Sequence, residues 1–150
     1  NRLKGAYTRA PHYAQTISIV EQILDCTEDN LFKYIHNSII EICRHLNIDT
    51  RIAVSSTANI DHNLQGSDKV IALCEHFGAT TYINSIGGID LYSRQDFATH
   101  GIELNFIKPT YFSYHQFSNA FVPWLSIIDV LMFNPVNDVR NHIHSEYDLL

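Results

Sequence analysis

Short segments rich in β-branched and aromatic residues alternate with helical segments through the middle of this chain. Three of them, 51–54, 80–83 and 102–106, have the character of strands, and the intervals between them carry apolar residues at helical spacing. Gly78 and Gly101 stand where glycine commonly closes a helix. Strand, helix, strand, helix, strand with short connections is typical of βαβ units. The sequence therefore predicts an α/β fold with a mainly parallel sheet flanked by helices. The alternation within 102–106 predicts a half-exposed strand near the edge of that sheet.

Two amphipathic segments precede this alternation. The first follows Pro11, and its apolar positions recur every three or four residues at Tyr13, Ile17, Val20 and Leu24. The second carries one apolar stripe, made of Leu31, Ile35, Ile39, Ile42 and Leu46. Because only a short polar turn at 27–30 separates the two segments, we expect an N-terminal helical hairpin with the stripe buried.

Length and charge narrow the class of protein. A chain of 150 residues suits one α/β domain over 1–150, which would bury roughly 70% of the surface that its unfolded form exposes. The net charge of −6 argues against a nucleic-acid partner, since such binding needs a broad basic surface. The three cysteines form no C-x-x-C pair, which favours reduced thiols and a cytoplasmic location. No apolar run reaches the roughly 18 residues of a membrane span.

Polar and glycine residues follow two of the predicted strands at the point where each ends. Ser55 and Ser56 come after the first of these strands, while Asn84, Gly87 and Gly88 come after the second, before a helix expected from position 89. In open α/β sheets, ligands bind outside the carboxyl ends of the strands, where free N–H groups can face an anion. The pattern favours a small-molecule site. The alternative is that serine and asparagine are simply suited to turns.

An aromatic segment, 110–123, shows neither helical nor strand periodicity. It contains Tyr114, His115 and Gln116, and a loop of this length either covers a core or lines a pocket. Among nine histidines, His115 is the one we would test as an acid or base. No H-E-x-x-H motif occurs, so we expect neither a metal site nor a cofactor, although a histidine-based metalloenzyme stays an alternative.

Ser126 and Asp129 open an apolar stretch, 124–134, that predicts a buried helix. The spacing S-x-x-D is that of a capping box, in which each side chain satisfies a free backbone N–H group. Both residue types also occur in catalytic sites, but no nucleophile elbow surrounds Ser126. We therefore favour capping over catalysis for this pair.

Several motifs, spread over almost the whole chain, occur in a characteristic order and spacing: 7–13 (YTRAPHY), Ser55-Ser56, 79–84 (ATTYIN), Gly87-Gly88, Leu91-Tyr92, Gly101-Ile102, 114–116 (YHQ) and 121–131 (FVPWLSIIDVL). Together they resemble the WbqC-like family, bacterial proteins associated with the biosynthesis of O-antigen and other surface polysaccharides. Members of that family have a further N-terminal strand-turn-helix segment. The resemblance thus implies that the chain is the C-terminal portion of a longer α/β protein whose N-terminal segment is missing here.

The resemblance and the predicted strand ends lead to one hypothesis: an enzyme that modifies a nucleotide-linked amino sugar by group transfer. In it, the substrate and its phosphates contact Ser55, Ser56, Asn84, Gly87 and Gly88. The sugar or acceptor side is shaped by Tyr92, Tyr114, His115 and Gln116, with His115 as general base. The rival hypothesis is a non-catalytic partner protein, in which the aromatic segment and the Trp124 region form a subunit interface, as in a homodimer.

Overall fold

The computed structural model describes residues 2–117 and 120–150 and has a mixed α/β architecture. In chain order, its helices are α1 (Arg2–Tyr7), α2 (Tyr13–Leu24), α3 (Leu31–His45), α4 (Gly66–His76), α5 (Arg94–Thr99), α6 (Ile127–Phe133) and α7 (Val136–Ser145). Its strands are β1 (Thr81–Ser85), β2 (Glu103–Pro109) and β3 (Tyr147–Leu149), and two 3₁₀ turns lie at Ser55–Thr57 and Ile86–Gly88. None of the helices in these two ranges combines the length and apolar character that a membrane crossing requires.

The chain divides into two compact units. The first comprises Asn1–Thr50 and Tyr111–Glu146, and the second comprises Arg51–Thr110 and Tyr147–Leu150. Helices α1, α2, α3, α6 and α7 belong to the first unit, whereas α4, α5 and the three strands belong to the second. That the chain forms a single domain stays a prediction.

The second unit is built on a three-stranded sheet in the order β1-β2-β3. Strands β1 and β2 are parallel, with Thr81 opposite Glu103, and β3 lies antiparallel to β2, with Leu149 opposite Ile107. The prediction of a mainly parallel sheet is therefore not confirmed. The expected position of 102–106 near an edge is wrong, because β3 pairs with the other side of β2 and makes it the middle strand.

Two glycines end the helices α4 and α5, each of which is followed by a strand of the sheet. Gly78 (φ +65°) and Gly101 (φ +70°) both adopt the left-handed conformation that glycine tolerates best. The N–H of Gly78 bonds to the carbonyl of Glu75, and the N–H of Ala79 bonds to that of Cys74. This pair of bonds is a Schellman motif, and Gly101 closes α5 in the same way. The prediction that these glycines end helices is confirmed.

A single apolar core supports the sheet of the second unit. Its buried side chains come from α4, from α5, from β2 and from the residue just before β2: Ile71, Cys74, Phe97, Ile102, Leu104 and Phe106. Phe97 stacks on Tyr82 of β1 with ring centroids 5.4 Å apart, which holds α5 against the sheet. The core thus fixes the carboxyl end of β1, where three predicted site residues follow.

Two predicted elements of the second unit differ from the structure. Residues 51–54 do not join the sheet: three of the four are exposed, so the two-faced burial that an apolar strand needs is not achieved. The helix expected from Ile89 begins only at Arg94. Its start is set by Ser93, whose side chain accepts a hydrogen bond from the N–H of Asp96.

The first unit is helical, and its core joins α3, α6 and α7. Leu46, Leu131 and Val139 are buried together there. Thr16 fastens α2 to α6, because its hydroxyl donates a 2.9 Å bond to the carbonyl of Leu131. Helices α2 and α3 contact each other, but the predicted hairpin arrangement is not confirmed.

The apolar stripe of α3 is buried over only part of its length. Leu46 is buried and Ile42 partly so, whereas Leu31, Ile35 and Ile39 are 71%, 48% and 47% exposed. The prediction that the whole stripe is buried is wrong. Helical periodicity identifies the apolar face of a helix, but burial depends on a neighbour that covers it.

Candidate functional site

The most unusual polar group of the first unit is the carboxylate of Asp129. Asp129 lies in the first turn of α6 and is only 4% exposed. Ser126 caps this helix, since its Oγ accepts a 3.2 Å hydrogen bond from the N–H of Ile128. The capping role predicted for Ser126 is therefore confirmed, whereas the carboxylate of Asp129 receives its hydrogen bonds from distant parts of the chain.

Three neutral donors converge on the two oxygens of this carboxylate. The phenol of Tyr7 donates to Oδ1 at 2.8 Å, and the phenol of Tyr114 donates to Oδ2 at 2.6 Å. The side-chain amide of Gln116 donates to Oδ2 at 2.8 Å. An ionised carboxylate accepts hydrogen bonds only, so three donors on two oxygens match its charged form. We call these four residues the Asp129 cluster.

Gln116 also fixes the aromatic loop. Its Nε2 donates to the carbonyl of Val122 at 3.1 Å, and its Oε1 accepts from the N–H of Val122 at 2.8 Å. Because the backbone of Val122 offers both an acceptor and a donor, this pairing sets the orientation of the amide. The amide group that closes the loop therefore also supports the carboxylate.

Both tyrosines of the cluster hold their protons tightly. Burial, the hydrogen bond to Asp129 and the charge of Asp129 raise the pKa of Tyr7 to about 12. The pKa of Tyr114 is raised for the same reasons, burial first. At neutral pH the two phenols are therefore hydrogen-bond donors to the carboxylate.

A depression of about 210 Å³ opens beside the cluster, and Asp129 is the charged group among the described residues of its lining. These described residues are Ala6, Tyr7, Gln116, Phe117, Ala120, Val122, Leu125, Asp129 and Phe133. Phe117 and Phe133 meet edge to face, with ring centroids 4.8 Å apart. This volume is smaller than the roughly 300 Å³ at which drug-sized sites begin. It suits one ring-sized part of a ligand, with polar contacts on one side and apolar contacts elsewhere.

Of the predicted residues in the aromatic segment, two enter this cluster and one does not. Tyr114 and Gln116 both bind Asp129, while His115 between them is exposed to solvent. The role of His115 as a general base stays a prediction.

In the second unit, three predicted residues meet at the end of β1. A Cβ atom built on Gly88 would lie 2.6 Å from Nδ2 of Asn84 and 3.6 Å from Cε2 of Tyr92. The Oδ1 of Asn84 accepts a 2.8 Å bond from the N–H of Ser85. Gly88 is therefore required for close packing of the Asn84 amide, whereas a Cβ on Gly87 would meet no described atom within 4 Å.

Ser55 and Ser56 are exposed on their 3₁₀ turn. A depression of about 370 Å³ lies next to that turn, lined by residues 51–54, Thr57, Ala58, His76 and Phe77. Neither Ser55 nor Ser56 is among the residues that line this depression. Their role in binding substrate stays a prediction.

The sequence-based hypothesis did not include two of the cluster residues, Tyr7 and Asp129, among the site residues. Both belong to motifs shared with the resembled family, but no local pattern connects Tyr7 with Asp129. Within residues 2–117 and 120–150, no group of three or more His, Cys, Asp or Glu side chains could hold a metal ion.

Fold and site together define a mixed α/β protein with a buried carboxylate beside a small, mostly apolar depression. Compared with models of known protein families, the chain matches the WbqC-like protein family over residues 1–141. The chain belongs to this family, as the resemblance predicted. No curated protein and no solved structure matches the chain significantly.

Proposed function

We propose that the chain acts in the biosynthesis of bacterial O-antigen or related surface polysaccharide, in the cytoplasm, by transferring a group to or from a nucleotide-linked amino sugar. Membership of the WbqC-like family supports the pathway. The reaction class is supported by the Asp129 cluster, which presents a fixed acceptor of hydrogen bonds at the wall of a depression.

The single observation that carries this proposal is the buried charge of Asp129. Burial of a carboxylate is costly unless its hydrogen-bonding capacity is satisfied, and here two phenols and an amide satisfy it. Such a group is held in place before a ligand arrives, so it can accept a hydrogen bond from a substrate hydroxyl or amine without rearrangement. His115 is the proposed general base, since it is the exposed titratable group next to two cluster residues in the chain.

The proposed role of the second unit does not depend on the Asp129 cluster. Asn84, Gly87 and Gly88 at the end of β1 are proposed to contact phosphate groups of a nucleotide, together with Ser55 and Ser56, and Tyr92 is proposed to contact the sugar. Gly87 supports the first part of this assignment, because it is exposed and a Cβ built on it would meet no described atom within 4 Å, so a phosphate could approach the backbone there at short range.

Thermal stability in the presence of nucleotide sugars tests the proposal. The chain should be screened against nucleotide-linked amino sugars, neutral nucleotide sugars and free nucleotides. A ligand at a hundred times its dissociation constant stabilises the native state by about 2.7 kcal/mol, which is a measurable shift in melting temperature. Asp129→Asn, Asn84→Ala and His115→Ala should each weaken binding or turnover, while Asp49→Asn, at an exposed position of the first unit, should not. Unchanged melting with every nucleotide sugar would refute the proposal.

A non-catalytic partner protein is the second candidate, and one surface favours it. Trp124 is 73% exposed, and its ring meets that of Tyr111 edge to face at 6.2 Å, with Val122 also more than half exposed. Large exposed aromatic groups of this kind are common at protein interfaces. Sedimentation at increasing concentration should then show a dimer that Trp124→Ala dissociates. A monomer at all concentrations would argue against this candidate.

A further inference from the structure

We propose that the depression beside Asp129 binds a primary ammonium group, so that the ligand enters it as a free, positively charged amine. This inference rests on the proposed function only for the identity of the ligand as a sugar. The charge of the ligand is argued from the site itself.

The first step concerns the counter-charge of Asp129. Its described partners, the phenols of Tyr7 and Tyr114 and the amide of Gln116, are all neutral. Among the described ion pairs, none includes Asp129. The hydrogen bonds and the N-terminal turn of α6 stabilise this buried carboxylate, but none of these groups carries a formal positive charge. A cation that enters the depression would supply a formal counter-charge.

The second step concerns the oxygen that is still able to accept. Oδ2 receives two donors, from Tyr114 and Gln116, whereas Oδ1 receives only that of Tyr7. A carboxylate oxygen accommodates about two hydrogen bonds, so Oδ1 has one position left. Asp129 lines the depression, and an ammonium group has three donors with which to reach that position.

The third step concerns the side chains that line the depression. Phe117, Phe133 and Leu125 give the depression an apolar lining beside the carboxylate. Aromatic rings attract cations, and Phe133 offers such a ring in the lining, whereas the ring of Phe117 is already engaged by the guanidinium of Arg9, 5.6 Å from its centroid. An amine on a compact carbon ring fits both kinds of surface. A hydroxyl in its place would bond to Oδ1 but leave the charge uncompensated, and an acetylated amine would also be neutral.

Matched small probes test the inference without a nucleotide. Binding is measured by NMR for methyl glucosaminide, methyl glucoside and methyl N-acetylglucosaminide, and for the pair cyclohexylammonium and cyclohexanol. We expect each amine to bind at least tenfold more tightly than its neutral counterparts at low salt, and the preference to weaken as salt screens the charge. The preference should vanish in Asp129→Asn and persist in Asp49→Asn. Equal affinities within both sets of wild-type probes would overturn the inference.

Two further results keep the outcome interpretable. If Asp129→Asn does not fold, Tyr7→Phe replaces it: this variant keeps the carboxylate and frees a second position on Oδ1, so the preference for amines should be kept or increased. A preference lost in a folded Tyr7→Phe protein would overturn the inference.

The same measurements separate this inference from the proposed function. Selectivity for cyclohexylammonium over cyclohexanol without any binding of nucleotide sugars would support the ammonium site and refute the proposed function. If nucleotide sugars bind equally well with and without a free amine, the proposed function would be supported and the ammonium site refuted.

Discussion

Tyr7 and Asp129 lie 122 residues apart in the sequence, and a 2.8 Å hydrogen bond joins the phenol of one to Oδ1 of the other. This bond connects α1 with the first turn of α6. Because Tyr114 and Gln116 of the aromatic loop bind the other carboxylate oxygen, one buried charge holds together three separate stretches of the first unit. The site and the stability of that unit therefore depend on the same group.

Alkaline pH should destabilise the first unit through Tyr7. Its pKa is raised from 10.0 to about 12 in the folded protein, so the folded state holds the phenol proton more tightly than the unfolded state does. The resulting stabilisation is complete below pH 10, declines as pH rises from there, and is lost above pH 12. The free energy of unfolding, measured in urea from pH 8 upwards, should fall more steeply for the wild type than for Tyr7→Phe. Tyr111→Phe, which removes an exposed phenol, should behave like the wild type.

Removal of the central carboxylate should be among the most damaging single changes in the first unit. Asp129→Ala leaves two phenols and one amide without their acceptor, and we expect a loss of about 3 kcal/mol in the free energy of unfolding. Asp129→Asn keeps one acceptor oxygen and should cost less. Asp49→Ala, at an exposed position, should change stability by less than about 0.5 kcal/mol. Equal stability of the two alanine variants, measured by urea denaturation, would show that the cluster contributes nothing.

The role of Ser126 is separable from that of Asp129. Its hydroxyl caps α6, so Ser126→Ala should lower the free energy of unfolding by about 1 kcal/mol, while Ser126→Thr, which also caps and adds no charge, should cost little. Since capping does not involve the depression, ligand affinity should be the same in all three proteins once each is folded. A loss of affinity in Ser126→Ala without loss of stability would instead indicate a functional hydroxyl.

Local features of the fold could be predicted from the sequence because their causes are local. Gly78 and Gly101 end helices through backbone conformations that glycine adopts easily, and Ser126 caps α6 through an N–H group only two residues further along the chain. The partners of Asp129 could not be predicted in this way. One of them is 122 residues distant, and no spacing rule connects residues that meet only when the chain folds.

The extent of burial could not be predicted from the spacing of apolar residues either. The pattern of α3 correctly marks one apolar face, yet Leu31 is exposed and Leu46 is buried at opposite ends of it, because only the second has α6 and α7 beside it. The segment 51–54 shows the same effect in a strand-like sequence, since it is not paired with the sheet. Residue patterns describe what a segment is able to bury, and the neighbours decide whether it does.

Gly88 should be more sensitive to substitution than Gly87, its neighbour in the same 3₁₀ turn. A Cβ at Gly88 would come within 2.6 Å of Nδ2 of Asn84 and displace that amide, which breaks its bond to the N–H of Ser85. We expect Gly88→Ala to cost about 1 kcal/mol of stability and Gly87→Ala less than about 0.5 kcal/mol. In the Asn84→Ala background the cost at Gly88 should disappear, because the clashing amide is gone. A double-mutant cycle by urea denaturation measures this coupling, and strictly additive effects would contradict it.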